Sequence, residues 1–142
     1  MTKTNTDEDV NAISAMMDGE HEAQVRLLDA FENAVRRGMD ESVIDGMLQQ
    51  FIDHTNVHFL SEQLLMRLHA YKAYEAHLEE HEKLLGEVRQ LQESFNSGNT
   101  TNLPRLVEAL REWLTVHIYT TDRVLGEYLS QQYAALHKRE EA

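Results

Sequence analysis

Apolar residues return every three or four positions along most of this chain, the period of a helix with one buried stripe. Four such stripes can be followed. The first runs Met17, His21, Leu28, Phe31, Val35, with Gln24 or Val25 closing the gap. The second runs Ile44, Leu48, Phe51, Thr55, His58, Glu62, Leu65. The third runs Tyr74, His77, His81, Leu84, Val88, Leu91, Phe95, and the fourth Leu103, Val107, Leu110, Leu114, His117. Breaks separate them. Gly38 to Asp40 follows Arg36 and Arg37, basic residues suited to a helix C-terminus. His69 to Ala73 is a break with no Pro or Gly to enforce it. Asn96 to Asn102 is the clearest loop, and Pro104 then stands where a first-turn proline would, with Asn102 or Thr101 as the cap. The pattern predicts helices over about 18–37, 41–69, 72–96 and 103–120, with a further helical stretch after 122.

Short connections make successive helices antiparallel, so the expected fold is all-α, an up-down-up-down antiparallel four-helix bundle. The bundle is expected over residues 17–136, after an N-terminal extension over 1–16 and before a polar tail over 137–142. Within the extension Met1 to Asp9 is polar and expected to fray. No strand pattern and no internal repeat is visible.

Composition narrows the chemistry. At 142 residues the chain is one domain with room for a core. The absence of cysteine excludes disulfides, zinc–thiolate sites, iron–sulfur clusters and thiol nucleophiles. A net charge of −12 repels phosphate backbones and anionic lipid, so neither nucleic-acid binding nor membrane insertion is expected. With no long apolar run and no leader-like N-terminus, a soluble cytoplasmic protein is expected.

The stripes carry the wrong residues for a plain core. His21, His58, Glu62, His77, His81 and His117 all fall on buried-face positions. Burying so many polar groups costs several kcal/mol unless each is paired or bound. His58 and Glu62, and His77 and His81, are i,i+4 pairs, so each pair points at one spot from one helix. His117 and Asp122 are five apart, which leaves them about 140° apart on an ideal helix. They converge only if the backbone bends or widens, and irregular geometry is therefore expected at 118–122. Heights agree as well. His21 lies near the start of the first helix, His58 and Glu62 near the end of the second, His77 and His81 near the start of the third, and His117 near the end of the fourth. In an antiparallel bundle these places are one end of the molecule.

Imidazole and carboxylate without sulfur suit iron, manganese, cobalt or zinc. Five histidines and two carboxylates are too many donors for one ion and suit two. The Glu-x-x-His motif of ferritin-like di-iron bundles occurs at none of the eight histidines.

The pattern resembles the hemerythrins. His21, His58-x-x-x-Glu62, His77-x-x-x-His81 and His117-x-x-x-x-Asp122 match the family's seven ligand positions. Met17-Asp18-Gly19-Glu20-His21 and Trp113-Leu114-Thr115-Val116-His117-Ile118 are similar to the bacterial branch. The resemblance covers about residues 17–130; Gln63 and His54 depart from the family pattern without touching a ligand position. It implies two iron ions with an oxo or hydroxo bridge and dioxygen as ligand. His77, His81 and His117 would bind one iron, His21 and His58 the other, and Glu62 and Asp122 would bridge. Leu114, Ile118, Trp113 and Phe59 would wall an oxygen pocket kept dry for reversibility.

The implied function is reversible dioxygen binding for storage, delivery or scavenging, by a binding protein and not an enzyme. The implied partner is an oxygenase or a respiratory protein, and the expected state is a monomer or weak homo-oligomer. Rival readings are a sensor of oxygen, nitric oxide or redox state acting through a separate partner, a peroxidase-like or nitric-oxide-reducing enzyme, and a metal store. Of the remaining histidines, His54 is a candidate to support the ligands indirectly, while His69 ends a helix and His137 lies in the tail. The acidic run Glu79-Glu80-Glu82 reads as a solvated face.

Overall fold

The computed structural model describes the backbone of residues 5–141 and the side chains of 15–136. Its helices are α1 (Asn5–Arg36), α2 (Glu41–Leu68), α3 (Tyr74–Asn96), α4 (Leu103–His117) and α5 (Arg123–Glu141). A π-helical turn, Ile118–Asp122, joins α4 to α5. Helical dihedrals persist on both sides of it, at His117 (φ −59°, ψ −46°) and Arg123 (φ −61°, ψ −44°). The three segments therefore run on as one arm, and with α1, α2 and α3 they make a four-helix bundle. α1 packs on α2 and α5, and α3 packs on α2 and α4.

The helix ends follow the sequence closely except at the start. α1 begins at Asn5, so much of the expected extension is already helical. No breaker lies between Asn5 and Met17, and acidic residues stand in the first turns. Residues 1–4 and the side chains of the expected tail, His137 included, lie outside the described residues. Asn102 stands at the N-cap of α4 without a side-chain cap bond, because Thr100–Asn102 form a 3-10 turn that leads into the helix.

Three helices end in the same way. After α1, Gly38 N–H donates to Val35 and Met39 N–H to Ala34. After α3, Gly98 and Asn99 repeat the motif on Phe95 and Ser94. After α2, Ala70 and Tyr71 do so on Arg67 and Met66. The motif needs a left-handed residue, and φ is 61° at Gly38, 78° at Gly98 and 50° at Ala70. Ala70 thus closes the break that sequence left without a glycine.

The stripes become two apolar clusters. The larger holds Leu28, Phe31, Leu48, Phe51, Leu84, Leu91, Val107, Leu110 and Leu114, with Phe59 at its edge. The smaller holds Met17, Met66, Leu125 and Leu129, flanked by Tyr71, Tyr74 and Tyr128. Gln24 fills the gap in the first stripe and donates to Thr55 Oγ1 across α1 and α2 (3.1 Å). Two stripe positions shift by one residue: Met66 is buried in place of Leu65, and Ala34 in place of Val35.

Candidate metal centre

His21, His58, Glu62, His77, His81, His117 and Asp122 are all buried and meet in one polar layer of the bundle. Two donor groups form there. His77, His81, His117 and Asp122 offer atoms within 4.8 Å of one another, and so do His21, His58, Glu62 and Asp122. Asp122 belongs to both. Its Oδ1 lies 3.1 Å from the Nε2 atoms of His77 and His117, and its Oδ2 lies 3.0 Å from His21 Nε2. Glu62 also reaches across. Its Oε1 is 2.8 Å from His58 Nε2, while Oε2 is 3.3 Å from His77 Nε2.

The π turn makes this possible. One extra residue per turn narrows the angle between His117 and Asp122, so both side chains face inward. The expected irregularity at 118–122 is present, with the same residue bounds.

Short distances here are not hydrogen bonds. The Nε2 atoms of all five histidines, both Glu62 oxygens and Asp122 Oδ1 are buried without an aligned hydrogen-bond partner. Buried polar atoms are rarely left so. Ligand atoms about 2.1 Å from a first-row ion stand about 3 Å apart at adjacent positions, and the observed spacings match that. Nitrogen and oxygen donors without sulfur suit iron. The residues present therefore fit a pair of metal ions.

Two further carboxylates brace the layer. His58 Nδ1 donates to Glu20 Oε2 (2.5 Å), and His117 Nδ1 donates to Glu80 Oε2 (2.8 Å). A proton fixed on Nδ1 leaves Nε2 to face the centre. Glu80 is thus half-buried and engaged, where the sequence reading had a solvated face. A signal for both was present. The only Glu-His dipeptides in the chain are Glu20-His21 and Glu80-His81. A residue one step from a ligand is turned about 100° away from it, toward the neighbouring helix. His54 joins indirectly, donating from Nε2 to the Glu20 carbonyl (3.1 Å) and lying parallel to the His58 ring. His69 caps the end of α2, and its carbonyl accepts from the Tyr128 hydroxyl (2.6 Å).

The four expected pocket residues separate by position. Phe59 stacks on His81, ring centres 3.7 Å apart, and Trp113 stacks on His117 at 4.9 Å. Leu114 is buried in the larger cluster, against which Ile118 and Trp113 pack. Ile118 also lines an open cleft of about 560 Å³ that touches His21 and Asp122.

Without metal the rings differ in charge. Burial alone would lower His58, but the carboxylates of Glu62 and Glu20 outweigh it and raise the ring to about 9. His77, buried likewise, is raised to about 9 by Asp122 and Glu62. Burial and the neighbouring His77 and His117 hold His81 down to about 3. Burial would raise Asp122, but His117, His21 and His77 beside it hold the carboxyl far below the usual range.

A helical bundle whose centre holds two histidine–carboxylate groups joined by a shared aspartate has the frame of a dinuclear metal-binding protein. The chain belongs to the hemerythrin family: the Hemerythrin HHE cation binding domain matches residues 12–129. It is 30% identical over 113 residues to a bacteriohemerythrin of Methylococcus capsulatus, covering 80% of this chain and 86% of the relative. A bacteriohemerythrin of Ralstonia nicotianae is 31% identical over 118 residues, covering 83% and 82%. A myohemerythrin of Sipunculus nudus is 28% identical over 101 residues, covering 68% and 78%. No solved structure matches significantly. No helix among the described residues is long and apolar enough to cross a membrane.

Proposed function

We propose that this protein binds dioxygen reversibly at a non-haem di-iron centre, for storage, delivery or scavenging, and is not an enzyme. His77, His81 and His117 would hold one iron and His21 and His58 the other, and Glu62 and Asp122, which reach both groups, would serve the pair, with an oxo or hydroxo group as further ligand. The observation that carries this reading is the set of five buried, unpartnered Nε2 atoms divided three and two around a shared carboxylate. Members of the hemerythrin family bind oxygen at a di-iron site, which supports the same reading.

When bound, a pair of ferrous ions would lend two electrons to dioxygen on attachment and take them back on release. The rest is the work of this chain. The two-histidine group has one histidine fewer and borders an open cleft through His21 and Asp122, so that side is assigned to the gas. Ile118 lines that cleft, and Leu114, one turn earlier and buried in the larger cluster, keeps the ground behind it apolar, so both are assigned to limiting water. Phe59 and Trp113 cover two rings of the three-histidine side by stacking on His81 and His117. Glu20 and Glu80 hold protons on Nδ1 and so keep His58 and His117 oriented. A soluble, cytoplasmic location belongs to this reading, on the acidic and cysteine-free composition.

The test is a visible spectrum of the reduced, iron-loaded protein, recorded as oxygen is admitted and then purged with argon. A charge-transfer band that appears with oxygen and fades on purging is expected. A band that persists, or direct conversion to a permanently oxidised spectrum, would overturn the carrier reading.

A further inference from the structure

Met17 stands one turn before His21 on α1, on the same face of the helix. It lines the cleft of about 560 Å³ that also touches His21, Ile118 and Asp122. The rest of its side chain is packed away, 6% exposed, in the cluster with Met66, Leu125 and Leu129. The fit against α5 is close. A Cβ on Gly126 would stand 3.2 Å from Met17 Sδ and 3.6 Å from Cε, so the thioether lies directly on the α5 backbone. Among the described methionines only Met17 borders this cleft. Met16 and Met39 are 47 and 40% exposed and face solvent, and Met66 is fully buried.

We infer that Met17 is an oxidation site of this protein, converted to methionine sulfoxide by hydrogen peroxide formed at the metal centre. The inference rests on the di-iron reading above. Oxidation of two ferrous ions by one dioxygen transfers two electrons and, with two protons from solvent, yields one hydrogen peroxide. The cleft on the two-histidine side is its way out, and Met17 Sδ stands in the wall of that cleft. There the O–O bond breaks and an S–O bond forms. The sulfur is oxidised by two electrons, and the second oxygen leaves as water with both protons. The product is polar and bulkier than the thioether it replaces. Its oxygen arrives where Gly126 leaves little slack, so α1 is loosened from α5 one turn away from His21. Sulfoxide reductases reverse the change, so the site can be reset.

The test takes the reduced, iron-loaded full chain through cycles of air oxidation and re-reduction. Catalase is present throughout and destroys peroxide that reaches bulk solution. The visible spectrum follows each oxidation, and fragment-ion mass spectrometry locates the added oxygen. Met17 is expected to carry several-fold more sulfoxide than Met16 or Met39. Peroxide added to the metal-free chain should reverse that order, since those two are exposed and Met17 is not. Cycling should lower the Tm of the wild type. It should leave unchanged that of Met17→Leu, which stays apolar and cannot take up oxygen. Met17 left unmodified once the spectrum shows the iron oxidised overturns the inference, as does Met17 oxidised no faster than Met16. Direct conversion to the ferric spectrum with Met17 oxidised supports the inference and overturns reversible carriage, so the two fail separately.

Discussion

The two halves of the metal layer are built from the same parts and enclosed differently. On α1 and α2, His21 and His58 share one side, with Glu20 bracing His58. On α3 and α4, His77, His81 and His117 share the other, with Glu80 bracing His117. Each brace comes from the odd-numbered helix and holds a histidine of the next one. The halves differ in cover. Aromatic rings lie flat on His81 and His117, while His21 borders an open cleft. Histidine number and packing thus vary together: the three-histidine side is the more covered, although His77 and His117 edge shallow clefts of their own, and on the two-histidine side His21 is the most exposed of the five rings at 8%. Asymmetry in a dinuclear site needs no new fold, only one more ligand and two stacked rings.

Removing ligands should separate the halves with the largest effect. Asp122 touches His21, His77 and His117, so Asp122→Ala should empty both sides. His21→Ala should weaken only the two-histidine half, by more than about 100-fold in metal affinity, and His81→Ala only the three-histidine one. Iron per chain after dialysis against a mild chelator reads this out. Equal retention in Asp122→Ala and His21→Ala would mean that Asp122 does not join the halves.

How much of this could be read in advance depends on geometry. The fourth stripe was complete, because Leu103, Val107, Leu110, Leu114 and His117 keep one side of an uninterrupted helix. The π turn was legible for a specific reason: five residues separate two groups that chemistry requires to meet. The smaller cluster was not legible, since Leu125 and Leu129 follow that turn and the stripe changes register there. The long start of α1 was missed because polar residues without a breaker do not reveal whether a helix continues. Glu20 and Glu80 were hidden by their neighbours, as acidic residues in acidic runs look like solvated surface. What distinguishes them is a histidine on another helix, and no local pattern contains that.

Acidity offers the next contrast, in the metal-free protein. His58 and His77 are raised from 6.5 to about 9, one in each half. The folded state binds the extra protons between those values, so their contribution to stability is full below 6.5 and is lost as pH rises through 9. His81 is lowered from 6.5 to about 3, so its contribution is present above 6.5 and is lost as pH falls toward 3. Thermal melts of the metal-stripped chain should show greatest stability near pH 6.5 and a decline on both sides. Metal uptake should strengthen from 6.5 to 9, because His58 and His77 must each release a proton. Uptake that is flat across that range would place the ligand protons elsewhere.

The braces should have smaller effects. Glu20→Gln keeps the shape but accepts more weakly from His58, and Glu80→Gln does the same to His117. Each should lower metal affinity by about 10–100-fold, the usual cost of losing a carboxylate behind a ligating histidine. Competition against a chelator measures it, and the two variants should act on different halves. Loss from the three-histidine half in Glu20→Gln would break the pairing of braces with halves.

The smallest expected change concerns the connection between the halves. α2 carries His58 and Glu62, α3 carries His77 and His81, and Ala70 joins them at φ 50°. That conformation costs an L-residue about 1–2 kcal/mol, and glycine meets it freely. Glycine also loosens the unfolded chain by about 0.4–1 kcal/mol, so Ala70→Gly should stabilise the fold by about 1 kcal/mol or less. A rise of about 2–4 °C in Tm is the corresponding signal. Metal affinity of both halves should stay as in the wild type, since Ala70 touches no ligand. If Ala70→Gly instead changes one half alone, the strained turn helps to set the height of α2 against α3, and the asymmetry of the centre begins in the loop.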